Sequence, residues 1–128
     1  MHNHVSFRYD ARRDVILATP RWHIVTEEDC RAWLREYEAF FTELGRGKLD
    51  VVFSLDHFSV DKAIAQVWGR YRADMVSRFT RHSVRVHPDA RVRVFAHTSG
   101  ILHQAGSDEA PDVETAVARI LELRARAP

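Results

Sequence analysis

The stretch Leu49-Asp50-Val51-Val52-Phe53-Ser54-Leu55-Asp56-His57-Phe58-Ser59 decides the fold of this chain. Its first seven residues form a nearly continuous apolar run, which is typical of a strand buried on both faces of a parallel sheet. A helical spacing of apolar residues begins at Ser59, which we predict to be the N-cap of a helix. Ligands bind α/β proteins at the loop between such a strand and helix. We therefore expect functional residues directly after this strand.

The composition is typical of one soluble domain. The chain has 128 residues, 45% hydrophobic and 29% charged, so we predict a single domain over residues 1–128. The net charge of +1 favours neither nucleic acid nor an anionic membrane as a partner. No apolar run approaches the about 18 residues of a membrane span, and the N-terminus lacks a secretory signal, so we expect a cytoplasmic protein without membrane insertion. Cys30 is the single cysteine and is predicted to be an inert core thiol.

The N-terminal third predicts a hairpin followed by a helix. Residues 5–19 contain an alternating strand and a more apolar strand, and Pro20 is expected to end the second strand. Thr26 is followed three residues later by Asp29, a spacing that predicts a capping box at a helix start. Aromatic and apolar residues then continue at helical spacing to Leu44, and this face is predicted to be core.

The C-terminal third predicts further strands and a last helix. A second hairpin is expected from residues 83–86 and 91–96, with arginines projecting from its partly exposed face: Arg85, Arg91 and Arg93. Residues 101–104 are a candidate short strand, and Gly106 to Pro111 is predicted to be a loop. Asp112 is predicted to cap the final helix, whose inward residues are Val113, Ala116, Val117, Ile120 and Leu121. The element order predicts an α/β fold with a mixed sheet of about five strands and helices packed on it.

Four segments in this order resemble a known group of small domains. They are the hairpin from Val5 to Thr19, the helix from Thr26 to Leu44, the strand from Val51 to Asp56, and the helix start from Asp112 to Val117. With this arrangement the chain resembles the SpoIIAA-like proteins, which are related to the STAS domains of anti-sigma-factor antagonists and anion transporters. The resemblance implies a SpoIIAA/STAS-like sandwich and a regulatory role in binding.

The switch chemistry of the STAS antagonists depends on residues that this chain lacks. In those proteins a serine of an Asp-Ser-Ser-Gly signature, at a helix N-terminus, is phosphorylated to switch partner binding. The matching segment here is Asp61-Lys62-Ala63-Ile64, which keeps the aspartate and has neither serine. Ser59 is the nearest hydroxyl, and the phosphorylation site is not transferred to it. The resemblance therefore implies the fold and a binding role without this switch.

Candidate site residues follow the ends of two predicted strands: Asp56, His57, Ser59, His97 and Ser99. If these strands are parallel neighbours, their ends bring His57 and His97 together. Ser99 belongs to Thr98-Ser99-Gly100, which suits either an ordinary turn or contacts to an anion. Our leading hypothesis is a non-enzymatic regulatory or interaction domain that binds a protein partner or a small ligand at this edge, needs no cofactor or metal, and forms a homodimer.

The alternative hypothesis is a small metal-assisted or acid–base enzyme that uses Asp56, His57 and His97. A Ser-His-Asp triad would also need Ser59, but no Gly-x-Ser-x-Gly motif surrounds this serine. The eight histidines are scattered over separate predicted elements, and none forms a helical His-x-x-x-His or Glu-x-x-His pair. A metal site would therefore have to be assembled by the fold from distant residues.

Overall fold

The computed structural model describes residues 4–86 and 108–126. These residues form six strands, three α-helices and one short 3-10 helix. In chain order they are β1 (Val5–Asp10), β2 (Val15–Ile24), α1 (Glu27–Leu44), β3 (Leu49–Ser54), β4 (His57–Val60), the 3-10 helix Lys62–Ile64, α2 (Ala65–Phe79), β5 (Thr80–Val86), β6 (Asp108–Ala110) and α3 (Val113–Arg126).

The described strands form one mixed sheet in the order β1-β2-β3-β5-β6. Strands β1 and β2 form an antiparallel hairpin, whereas β2, β3, β5 and β6 run parallel to one another. Strand β4 pairs in parallel with the second half of β2, from Arg21 to Ile24. The predicted mixed α/β sheet is confirmed, and the strand at Leu49 lies at its centre with every residue buried.

Helices cover both faces of the sheet and divide the core into two clusters. Helices α1 and α2 pack against each other on one face, and α3 packs on β3, β5 and β6 on the other. The first cluster is rich in aromatic residues, whereas the second consists of aliphatic residues. Side chains that alternate along β3 contribute to both clusters, because Val51 and Phe53 belong to the first cluster and Val52 belongs to the second.

The start of α1 has the predicted capping box. The Thr26 hydroxyl accepts a hydrogen bond from the Asp29 N–H at 3.1 Å, and the Asp29 carboxylate accepts one from the Thr26 N–H at 3.1 Å. The helix ends at Gly45, whose φ of 64° is the left-handed conformation that glycine adopts without strain. The face predicted to be core is buried at Cys30, Trp33, Tyr37 and Phe41.

The predictions for Pro20 and Ser59 are wrong. Strand β2 continues through Pro20. The residues of β2 up to Ala18 pair with β3, and those from Arg21 onward pair with β4, so Pro20 lies where β2 changes its partner. Ser59 lies inside β4, where it pairs with β2, so it does not cap a helix. Asp61 has the capping role instead, since its carboxylate accepts a hydrogen bond from the Ala63 N–H at 2.9 Å.

Three predictions for the C-terminal part also differ from the structure. Arg85 is 4% exposed, because β5 lies between β3 and β6 and is covered on both faces. Residues Asp108–Ala110 form a strand parallel to β5, inside a segment predicted to be a loop. Leu121 is 45% exposed, although Ala116, Val117 and Ile120 are buried as predicted. The remaining strand predictions in this region, with Arg91 and Arg93, lie outside the described residues.

A buried carboxylate ties together four parts of the fold. Asp50 in β3 is fully buried and accepts hydrogen bonds from the Arg81 side chain, the His82 N–H and the Arg124 side chain. The Nδ1 atom of His82 lies 3.0 Å from the same carboxylate. Arg124 also donates to the carbonyl oxygens at the β1–β2 turn, Arg13 and Asp14, at 2.7 and 2.6 Å. Asp50 therefore joins the central strand to β5, α3 and the first hairpin.

Acid is expected to weaken the fold through Asp50. Burial alone would raise the pKa of Asp50, but hydrogen bonds from Arg81 and Arg124 outweigh it and hold the pKa below its usual value of 3.8. Because the folded-state pKa is lower than the unfolded one, the stabilisation is fully present above about pH 4 and is lost as the pH falls through the folded-state pKa. Urea unfolding from about pH 5 to 3 should show a steeper loss of stability for the wild type than for Asp50→Asn. Parallel pH profiles of the two proteins would contradict this role.

Candidate functional site

The structure places three of the predicted site residues at one end of the central strand. Asp56 is exposed in the turn between β3 and β4, and His57 is the exposed first residue of β4. Ser59 follows two residues later and is half-buried. His97 and Ser99 lie outside the described residues, so their proximity to His57 stays a prediction.

The pairing of β4 with β2 groups the polar side chains on one face. Arg21 is opposite His57, and His23 is opposite Ser59. Because side chains alternate along a strand, these four residues share one face of the two strands, which we call the polar strand face. Arg21, His23 and His57 are exposed. The alternate positions face the core, where they belong to or pack against the aromatic-rich cluster: Trp22, Ile24, Phe58 and Val60.

One hydrogen bond joins the two strands across the polar strand face. The Nδ1 atom of His23 lies 2.7 Å from the Ser59 hydroxyl oxygen. His23 is therefore the imidazole placed to exchange a proton with Ser59, a role that a triad would have given to His57. The sequence did not predict this pairing, because the two residues are 36 positions apart and the strand β4 was itself not predicted.

The described residues do not form a metal centre. Across the ranges 4–86 and 108–126, no group of three or more His, Cys, Asp or Glu side chains has the arrangement of a metal site. The enzyme alternative also needs His97, which is outside these ranges.

A second polar site is buried and was not predicted. We call it the arginine cavity: a small space between the sheet and helices α1 and α2, with Arg72 from α2 and Arg85 from β5 in its wall. Its other lining residues are Pro20, Trp33, Tyr37, Phe53, Leu55, Phe58, Trp68 and Met75. Arg72 and Arg85 are 5% and 4% exposed, and burial together with repulsion from Arg85 lowers the pKa of Arg72 to about 10.

The sequence contained a signal for Arg72. Trp68, Arg72 and Met75 follow the helical spacing of one inward face, and all three are buried. An arginine on an otherwise apolar stripe is unusual, because charged side chains are rarely buried without compensation. Arg85 gave a weaker signal, since its alternation with Val84 and Val86 is also typical of a strand with one wet face.

The fold and these two sites define an α/β domain with a mixed sheet between two helical layers. No protein-family model matches the sequence, and no curated protein matches it. Among solved structures, the chain is similar to the anti-sigma factor antagonist SpoIIAA in its unphosphorylated form. The similarity has a TM-score of 0.45 at 15% identity and covers 94% of this chain and 97% of that chain.

None of the helices in residues 4–86 and 108–126 combines the length and the hydrophobicity that crossing a membrane requires.

Proposed function

We propose that this chain is a non-enzymatic regulatory domain that binds a partner protein through the polar strand face. The observation that carries the proposal is the register of β2 and β4, which turns Arg21, His23, His57 and Ser59 to the same side. Asp56 adds a carboxylate at one end of this surface. We include His97 and Ser99 as further contacts, on the basis of the predicted strand ends.

The polar strand face is well suited to recognition because its strands are fixed from behind. Ile24 is fully buried and Phe58 is 5% exposed, so the inward side chains anchor both strands in the aromatic-rich core. The hydrogen bond between His23 and Ser59 also fixes two of the outward side chains before any partner arrives. Pre-ordered side chains lose less conformational entropy on binding, which improves affinity.

The hydrogen bonds of the described residues support the enzyme hypothesis less well than the binding hypothesis. Ser59 pairs with His23 rather than with His57, and the third proposed catalytic residue, His97, lies outside the described residues. A binding role uses the same side chains and does not require His57 to act as a general base.

The test is a quantitative pull-down with three forms of the full chain: wild type, His57→Ala/Ser59→Ala, and a control carrying Arg70→Ala/Ser77→Ala. Arg70 and Ser77 are exposed on α2 and do not belong to the polar strand face. Partners retained by the wild type and the control but lost by the first variant would support the proposal. Partners retained equally by all three would remove the site, and no partner above a blank resin would count against protein binding.

A further inference from the structure

Strand β1 leaves one edge of the sheet open. It stands at the end of the order β1-β2-β3-β5-β6, so no strand within residues 4–86 and 108–126 pairs with its outer side. It is six residues long and contains no proline. A strand edge of this kind is a template for pairing with another chain. The partner that it fits depends on the main-chain groups and side chains that the edge presents.

The register with β2 determines which main-chain groups of β1 point outward. The Arg21 N–H donates to the His4 carbonyl oxygen at 2.7 Å, and Val5 follows opposite Pro20. In an antiparallel pair, successive residues point their main-chain groups alternately toward the partner strand and away from it. Val5 accordingly points outward, where its N–H donates to the Glu36 carboxylate of α1 at 2.9 Å.

The next outward-facing groups adjoin a groove. By the same alternation, the N–H and C=O groups of Phe7 and Tyr9 face away from β2. Beside them lies an open groove of about 460 Å³ between β1 and α1. Ala32 and Ala39 line its α1 side, and their small side chains let another backbone approach closely. Main-chain donors and acceptors beside a groove for side chains fit an added β-strand.

We propose that a second copy of this chain pairs with this edge, so that the two β1 strands run antiparallel and the two sheets become one. The two-fold axis passes between the two Phe7 residues, whose outward N–H and C=O groups then bond to each other. Arg8 lies opposite Ser6 of the second copy. An axis at Arg8 would instead place two arginines opposite each other, which is unfavourable.

Helix α1 follows β1 closely enough to share this axis. It runs alongside β1 in the same direction, with Glu36 bonded to Val5 and with the Phe40 ring stacked on that of Phe7 at a centroid distance of 4.2 Å. The axis at Phe7 therefore passes close to Ala39 and Phe40. The two copies of α1 lie on the same face of the joined sheet and run antiparallel to each other.

The charges on α1 are complementary to themselves about this axis. Arg35 lies four residues before Ala39, and Glu43 lies four residues after it. Arg35 of each copy therefore lies opposite Glu43 of the other copy. Both side chains are exposed and line the groove. Opposite charges that meet across an interface fix its register and disfavour other partners, so the pattern favours a second copy of this chain.

This interface is separate from the polar strand face. Arg21, His23, His57 and Ser59 lie on the opposite side of β2 and β4 from Trp22, which lines the groove. The His57→Ala/Ser59→Ala protein should therefore dimerise like the wild type, whatever its effect on the binding of a partner protein.

The experiment measures the molar mass of the full chain by light scattering from micromolar to millimolar concentration. The wild type should change from monomer to dimer over this range. Arg35→Glu and Glu43→Arg should each raise the dissociation constant of the dimer by about tenfold, because each turns two attractive charge pairs into repulsive ones. Arg70→Glu makes the same charge change at an exposed position of α2 outside the groove and should behave like the wild type.

Mixing the Arg35→Glu and Glu43→Arg proteins tests the register. In a dimer of one copy of each, both contacts again join opposite charges, so the equimolar mixture should dimerise as tightly as the wild type. The proposal is overturned if this mixture dimerises no more tightly than the separate variants, or if neither variant weakens the dimer. A wild type that stays monomeric at millimolar concentration would leave the edge to a different protein and would also overturn it.

Amide hydrogen exchange tests the strand pairing separately. The amides of Phe7 and Tyr9 should exchange more slowly at dimer-forming concentration than in the dilute protein. The amides of Ser6 and Arg8 point toward β2 and should exchange equally at both concentrations. Unchanged exchange of Phe7 and Tyr9 in a sample that is dimeric by light scattering would show that β1 is not the interface.

Discussion

Replacing Asp50 with alanine is expected to lower the free energy of unfolding by about 3 kcal/mol. The substitution removes the carboxylate that accepts hydrogen bonds from Arg81, His82 and Arg124. The loss should lie at the lower end of the range for a broken buried ion pair, because the side chains of Arg81 and Arg124 are 47% and 27% exposed and can regain water. Urea unfolding at pH 7 measures the difference.

The control for Asp50 is another carboxylate that pairs with an arginine at the surface. Asp74 lies 3.0 Å from Arg78 on α2, and both side chains are exposed. Asp74→Ala should cost about 1 kcal/mol or less, which is typical of an exposed ion pair. Equal effects of Asp50→Ala and Asp74→Ala would show that the Asp50 contacts do not hold the four parts of the fold together.

Replacing Tyr37 with alanine is expected to cost about 4 kcal/mol of unfolding free energy. The ring is fully buried and contacts residues of three elements. Its centroid lies 5.1 Å from that of Phe7, 4.8 Å from that of Trp33 and 6.0 Å from that of Phe53. Truncation would leave a cavity between α1 and the sheet that these rigid neighbours cannot easily fill. Thermal and urea unfolding of the variant provide the measurement.

Tyr37→Phe separates the contribution of the ring from that of the hydroxyl. The hydroxyl has no hydrogen-bond partner among the described residues, so its removal should change stability by no more than about 1 kcal/mol. If Tyr37→Phe were as destabilising as Tyr37→Ala, the ring contacts would not be the source of the effect.

The elements with strong local signals could be predicted from the sequence. The capping box at Thr26 and Asp29 marks the start of α1, and the apolar run at Leu49 marks the central strand. Strand β4 was missed because it has four residues and follows β3 after a single turn. Its pairing partner is the end of β2, where Pro20 indicated a strand end. Both β4 and the continuation of β2 past Pro20 depend on the pairing of two segments that are far apart in the sequence. A local sequence pattern does not reveal that pairing.

The two sites differ in how far the sequence reveals them. Asp56, His57 and Ser59 were predicted as a group from their place after a strand, but the partner of Ser59 proved to be His23. The arginine cavity depends on α2 and β5 placing Arg72 and Arg85 in the wall of the same cavity, an arrangement that the sequence does not specify. The helical spacing indicates that Arg72 faces inward, but it does not indicate that Arg85 lines the same cavity.

The sheet divides the core into two clusters, so tryptophan emission and circular dichroism report on different parts of the molecule. All three tryptophans, Trp22, Trp33 and Trp68, belong to or pack against the cluster beneath α1 and α2, and none lies on the α3 side. An unfolding curve recorded by tryptophan emission therefore follows one half of the molecule, while far-ultraviolet circular dichroism also records α3. Agreement between the two curves would support cooperativity across the sheet, and a separation is the result expected if α3 unfolds as a unit of its own.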